Sequence, residues 1–252
     1  KKKKTAKNQI RKKSCSTIRN IIDRDEDKNK KIMLYPITVA DDFFAKPYSV
    51  KELSNKFNFT PCSAGYFPGE RSEQLGSLEE SNSFFNYTCQ KILSIIYPES
   101  VNDLQYSAEL YFQKISNEFK NPGFVHTDSI KELTAIVYLS PHDNCGTSFY
   151  DPIGEHPINL PGIINSKFDI YKNKNFTNEA ELVNKLNKNF KKTLTVSSKF
   201  NRMVLFDGSY LHGVENFIDE NINEDRLTLI AFFHHITKNG IRYPMVENKR
   251  RL

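Results

Sequence analysis

The stretch Phe124–Leu139, FVHTDSIKELTAIVYL, decides how this chain is read. Its second half, ELTAIVYL, is a short run of β-branched and aromatic residues with the texture of a strand. Its first half places His126 and Asp128 two residues apart. On an extended backbone, i and i+2 face the same side, so the imidazole and the carboxylate project together while Thr127 points away.

Working outward, the same texture continues on both sides. Segments QYSAELYFQKIS (105–116), GTSFY (146–150), TLTVSS (193–198), RMVLFD (202–207) and RLTLIAFFHHI (226–236) are further candidate strands separated by turn signals. Upstream the texture is helical. A helix is expected to open near Pro47, with Val50, Leu53 and Phe57 at helical spacing, and SNSFFNYTCQKILSIIYPES reads as a second helix stopped around Pro98. Between them, FTPCSAGYFPGERSEQLGS is rich in Pro, Gly and Ser and is read as a loop. Helices first and strands afterwards indicate an α+β arrangement in which helices pack against an antiparallel β-core, a sandwich or barrel. An insertion, residues 151–192, carries a third expected helix at TNEAELVNKLNKNF and has the length of a lid or a substrate wall.

Charge separates this domain from its N-terminus. Residues 1–31 hold 13 Lys and Arg against 4 Asp and Glu, a net of +9, so the other 221 residues sum to −3 against the chain's +6. The basicity belongs to residues 1–31, read as a solvated tail, and residues 32–252 are read as one domain. Nucleic acid is not an expected partner of the domain, and only the tail offers polyanions a surface. No run of about 18 apolar residues suggests a membrane span. The four cysteines, 15, 62, 89 and 145, form no C-x-x-C pair, which fits reduced thiols and an intracellular, cytoplasmic location. Nothing in the sequence specifies an oligomeric state.

A lone H-x-D is a weak signal, and a surface ion pair is its ordinary explanation. Two His and one carboxylate on one face leave open positions for substrate and O2 and suit non-haem Fe(II), so a second His is required. His212 is the best candidate, because it follows an apolar strand in LFDGSYLHGV, where Gly208 and Gly213 are expected to bend the chain. His142 and His156 lie in turn-like or insertion sequence, and His234 and His235 end a strand. RLTLIAFF adds one cation to an apolar run, with Arg226 and Thr228 on one face by alternation. A buried Arg needs an anion: either a carboxylate ligand held by its planar fork or a salt bridge to Glu224 or Asp225.

Taken in order, HTDSIKELTAIVYLSP, GTSFY, NRMVLFDGSYLHGVENF and RLTLIAFF resemble the iron- and 2-oxoglutarate-dependent dioxygenases of the prolyl-4-hydroxylase-like group. DDFFAKPYSV and YFPGERS resemble an uncharacterised bacterial and viral branch within it. The resemblance covers Lys31 to the C-terminus in pieces, without most of the insertion. It implies a double-stranded β-helix, a jelly-roll or cupin-like barrel with supporting N-terminal helices. It further implies that His126, Asp128 and His212 ligate Fe(II), and that Arg226 holds the distal carboxylate of 2-oxoglutarate with Thr228 as auxiliary partner. Animal prolyl hydroxylases place a Lys in the role of Arg226. Tyr138 and Thr134 share a face of their strand and are candidates to line the same pocket. The implied reaction consumes 2-oxoglutarate and O2, releases succinate and CO2, and hydroxylates a C–H bond of a peptidyl substrate, prolyl included, or of a small molecule. Related halogenases carry a small residue where Asp128 stands, so hydroxylation is expected. The competing reading is a non-catalytic β-helix module that binds a ligand. YFPGERS and EHPINLPGIINS (155–166) are the expected rim contacts.

Overall fold

Two antiparallel sheets organise the chain, and the alternation along their strands decides what each face does. The computed structural model describes residues 36–99, 101–117, 119, 123–128, 131–154, 171, 179–239 and 241–242. The basic tail, the segment 155–166 and His156 lie outside these residues. All described residues fall within one compact unit, Leu34–Val246.

The two main helices precede the long strands, as expected, but three short strands stand among them. Strand β1 (Thr38–Ala40) precedes helix α1 (Pro47–Ser54), which is followed by β2 (Phe59–Pro61), β3 (Glu70–Ser72) and helix α2 (Asn82–Ile96). Then come β4 (Leu104–Ile115), β5 (Leu133–Tyr138), β6 (Thr147–Pro152), helix α3 (Glu179–Asn187), β7 (Phe190–Val196), β8 (Met203–Asp207), β9 (Leu211–Val214), β10 (Arg226–Lys238) and β11 (Ile241–Arg242). The large sheet runs β1-β8-β5-β10-β4-β3-β2, with β11 also paired to β10, and the small sheet runs β7-β6-β9. Every strand pair among the described residues is antiparallel.

One face of the large sheet is covered by the helices. Pro47 starts α1, where its missing N–H costs nothing. Helix α2 presents Cys89, Ile92 and Leu93 to the sheet at helical spacing, and stops at Tyr97, before Pro98. These residues pack on Leu227, Leu229, Ala231 and Phe233 of β10 together with Leu110, Phe112, Ala135, Val137 and Leu205. Each fully buried side chain of this size contributes about 1.5–3 kcal/mol, so this layer holds the scaffold together.

The opposite face looks across at the small sheet. Its intervening positions on β10 are Arg226, Thr228, Ile230 and Phe232, directly paired with Ile115, Gln113, Tyr111 and Glu109 of β4. On the other side of β10, Thr228, Ile230 and Phe232 pair with Tyr138, Ile136 and Thr134 of β5. Tyr138, Val204 and Phe206 pack on Phe149 and Val196 of the small sheet, closing one side. The remaining interval between the sheets is an open cavity.

Three expectations change. The loop read at 59–77 contains two short strands, β2 and β3, stitched to β4 through Arg71↔Gln113 and Glu70↔Lys114. The segment around His212 is itself a strand, β9, paired with β6 through Phe149↔His212. Phe124–Asp128 is not a regular strand, and its pairing is the isolated bridge His126↔His212. Among the described residues no helix is long and apolar enough to cross a membrane.

Candidate metal and anion site

The bridge between His126 and His212 builds the centre of the cavity. The His126 N–H donates to the His212 carbonyl at 2.9 Å, and the His212 N–H returns a bond to the His126 carbonyl at 2.8 Å. Asp128 is tied separately, its N–H donating to the Gly208 carbonyl at 2.8 Å. Ligand atoms of His126, Asp128 and His212 consequently lie within 4.8 Å of one another. His126 Nε2 is 3.8 Å from Asp128 Oδ1, and His212 Nε2 is 3.5 Å from Asp128 Oδ2.

Orientation of the rings is fixed from behind. Nδ1 of His126 sits 2.9 Å from the Phe124 carbonyl, and Nδ1 of His212 sits 3.0 Å from the Tyr210 carbonyl. A carbonyl only accepts, so each Nδ1 carries a proton and each Nε2 is the ring nitrogen that faces Asp128. Thr134 Oγ1 donates to Asp128 Oδ2 at 2.7 Å, aiming the carboxylate. Such outer contacts usually set ligand geometry as much as the ligands do.

Gly208 lies in the turn between β8 and β9, closed by the Tyr210 N–H donating to the Asp207 carbonyl at 3.0 Å, whereas Gly213 lies within β9; neither has a positive φ, and both permit close approach. A Cβ on Gly208 would collide with the Lys131 carbonyl, and one on Gly213 would lie 2.9 Å from the Phe124 carbonyl. Side chains there would push apart the segments that carry Asp128 and His126.

The cavity has a volume of about 440 Å³, inside the range of small-molecule sites. His126, Asp128, Thr134, His212, Arg226 and Thr228 all line it. Arg226 is 6% exposed. Its Nη2 donates to the Cys145 carbonyl at 3.2 Å, and its guanidinium lies 5.8 Å from the Tyr138 ring centre. Burial pulls its pKa below the ordinary Arg value. The salt bridge considered from the sequence does not form: Glu224 pairs with Lys51, and Asp225 accepts from the Asn117 N–H. Among the described residues no carboxylate is within ion-pair distance of Arg226. Beside it, the Thr228 hydroxyl is buried with no hydrogen-bond partner among the described residues.

Other candidates fall elsewhere. Tyr138 is not among the residues lining the cavity; its hydroxyl is 2.8 Å from Thr147 Oγ1. His142 is buried and doubly engaged, Nδ1 accepting from the Asp219 N–H at 3.1 Å and Nε2 donating to the Glu224 carbonyl at 3.0 Å. His234 meets Glu109 at 3.3 Å and Lys131 at 3.0 Å, while His235 is exposed. Of the two expected rim segments, YFPGERS does reach the cavity, through Tyr66, Phe67, Pro68 and Arg71. Arg71, Gln113, Glu109 and Lys131 were not singled out by sequence reasoning. The cross-strand pairing that brings Arg71 to Gln113 spans 42 residues and has no local signature.

A family model described as a family of unknown function, DUF6445, matches residues 29–233. The chain belongs to the DUF6445 family. No curated protein matches this DUF6445 member by sequence. Among solved structures, HygX from Streptomyces hygroscopicus with nickel and 2-oxoglutarate bound is similar at 14% identity and a TM-score of 0.54, covering 83% of this chain and 85% of that one. HygX with hygromycin B also bound gives 12% identity and a TM-score of 0.50, with the same coverage. A Pseudomonas putida prolyl-4-hydroxylase gives 14% identity and 0.44, covering 78% of this chain and 91% of that one. At these identities the likeness to HygX shows that the DUF6445 chain shares its fold.

Proposed function

We propose that the protein is an Fe(II)- and 2-oxoglutarate-dependent oxygenase that hydroxylates a C–H bond of a small-molecule or peptidyl substrate. In this reading its two sheets are the halves of a double-stranded β-helix, as in a jelly-roll. One observation carries the proposal. A two-His, one-carboxylate cluster shares a cavity with a buried Arg226 that lacks a carboxylate partner, and a Thr228 hydroxyl that lacks any partner, among the described residues. The donor set suits non-haem iron. The second pair suits a carboxylate, because a buried cation and a buried hydroxyl are each costly until an anion satisfies them. HygX, which shares the fold, was solved with nickel and 2-oxoglutarate bound.

Each residue has a definite task here. His126 and His212 offer Nε2, Asp128 offers a carboxylate oxygen steadied by Thr134, and Arg226 receives the distal carboxylate of 2-oxoglutarate with Thr228 donating to it. When bound, iron and 2-oxoglutarate together reduce O2 to an oxidant that converts C–H to C–OH, with succinate and CO2 as co-products. Ile136, Phe124 and Ile230 supply part of the cavity's apolar wall. The protein's own contribution is orientation of the target carbon, which pocket residues and not the fold decide. The prolyl-4-hydroxylase-like branch is supported by the sequence motifs around His126 and His212.

The test needs no substrate. Anaerobic protein with Fe(II) and 2-oxoglutarate should develop a weak visible charge-transfer band that His126→Ala and Asp128→Ala abolish. Folded, iron-loaded wild-type protein without that band refutes the reading. A band without slow succinate formation in air would identify a non-catalytic binding module instead.

A further inference from the structure

Arg71 is a second guanidinium in the same cavity, and no part of the metal and cosubstrate scheme uses it. Strand β3 carries it, and the pairings Arg71↔Gln113 and Gln113↔Thr228 set the three residues in one row across β3, β4 and β10. Two strand spacings, roughly 10 Å, separate the Arg71 backbone from that of Thr228. The guanidinium is held on both flanks. Its Nε donates to Gln113 Oε1 at 3.0 Å, and Gln113 Nε2 is itself tied to the Pro68 carbonyl at 2.9 Å. The charged plane lies 4.0 Å from the Phe67 ring centre and 5.3 Å from that of Phe232. With Nε occupied, the two Nη groups form the remaining fork.

Charge in the cavity is otherwise answered. Lys131 pairs with Glu109 at 3.3 Å. On the function proposed above, Asp128 and one cosubstrate carboxylate answer a divalent metal, and Arg226 answers the other carboxylate. Arg71 has no carboxylate within ion-pair distance among the described residues, and burial pushes its pKa down to about 10 despite the opposing pull of Asp128. One unit of positive charge is left over. A guanidinium fork between aromatic rings matches a carboxylate with an apolar body, whereas a dianionic phosphate would leave one negative charge uncompensated.

Resting on that functional reading, we propose that Arg71, seated by Gln113 and Phe67, is the substrate-recognition residue of this site and that the substrate is a monocarboxylate. Its carboxylate docks on the Arg71 fork and its apolar body lies along Phe67 and Phe232, toward the metal cluster.

Calorimetric titration of Ni(II)-loaded protein holding 2-oxoglutarate tests this with hippurate, 3-phenylpropionate and benzoate, each against its primary amide, and with phenyl phosphate. At least one carboxylate should bind tenfold or more tightly than its amide. That preference should vanish in Arg71→Gln and persist in part in Arg71→Lys, with 2-oxoglutarate affinity moving less than threefold in both. Thermal melts check that the variants fold. The inference is overturned if no carboxylate beats its amide by threefold, if the preference survives Arg71→Gln, or if phenyl phosphate binds tightest. A tenfold loss of 2-oxoglutarate affinity in Arg71→Gln also overturns it, making Arg71 a cosubstrate anchor. The same titrations on metal-free protein separate the two proposals. Failure of Ni(II) and 2-oxoglutarate to bind the wild type would sink the oxygenase reading, and the carboxylate-over-amide ratio would still report on Arg71.

Discussion

Thr228→Val should make the ligand-free protein more stable and its binding of 2-oxoglutarate weaker, a combination that an ordinary core residue cannot produce. Thr228 is 1% exposed and its hydroxyl has no hydrogen-bond partner among the described residues. A buried, unsatisfied hydroxyl costs about 1–3 kcal/mol, and replacing it by a methyl of the same shape removes that cost without opening a cavity. Valine also suits the middle of a strand. A gain of about 1–2 kcal/mol raises Tm by roughly 2–8 °C for a domain of this size. The bound state moves the other way. A hydroxyl donating to a carboxylate contributes about 1.5–3 kcal/mol, so its loss weakens 2-oxoglutarate by roughly 10- to 100-fold. Differential scanning calorimetry of metal-free protein gives the first quantity, and titration of the Ni(II) form with 2-oxoglutarate gives the second. A lower Tm with unchanged 2-oxoglutarate affinity would refute the reasoning, because Thr228 would then be part of the scaffold only.

Thr134→Val removes the 2.7 Å bond to Asp128, and should lower Co(II) affinity about 10- to 100-fold in competition with a chelating dye. Gly208→Ala places a methyl against the Lys131 carbonyl, so a fall in stability of about 1–3 kcal/mol, read from urea melts, should accompany weaker Co(II) binding. His142 supplies a pH dependence. Burial lowers its pKa from the ordinary 6.5, and its neutral form is fixed by the Asp219 N–H. The unfolded chain therefore takes up a proton first as pH falls. Its contribution is complete above about pH 6.5 and is lost progressively below, until the folded-state pKa is passed. The Tm difference between wild type and His142→Gln should therefore narrow on going from pH 7.5 to 5.5.

The parts of this fold that were readable from sequence are those set by local alternation. Helices α1 and α2 and strands β4, β5, β8 and β10 show their apolar period within a dozen residues, and His126, Asp128 and His212 stand beside such runs. What was not readable depends on pairing partners. Strand β3 is three residues long and offers no period, so Arg71 looked like one charge in a loop until β4 was placed beside it. Strand β9 contains only LHGV and is made a strand by β6 on one side and the His126 bridge on the other. Tyr138 shows the opposite limit. Alternation correctly puts it on the face of Thr134 and Ile136, yet the small sheet closes over that end, and its hydroxyl finds Thr147.

Strand β10 shows how the same alternation keeps stability and chemistry apart. Leu227, Leu229, Ala231 and Phe233 point into the helix-covered core, and Arg226, Thr228, Ile230 and Phe232 point into the cavity. The charged and unsatisfied groups on the cavity side burden the fold by kilocalories that the core side must offset. A one-residue slip of β10 would exchange the two faces, turning Arg226 into the apolar core. The twelve register positions shared with β4, interrupted by the irregularity between Phe233 and His235, hold the strand against such a slip. That registration lets one continuous strand carry a buried cation at one end and apolar core along its reverse face, without a separate structural element to support it.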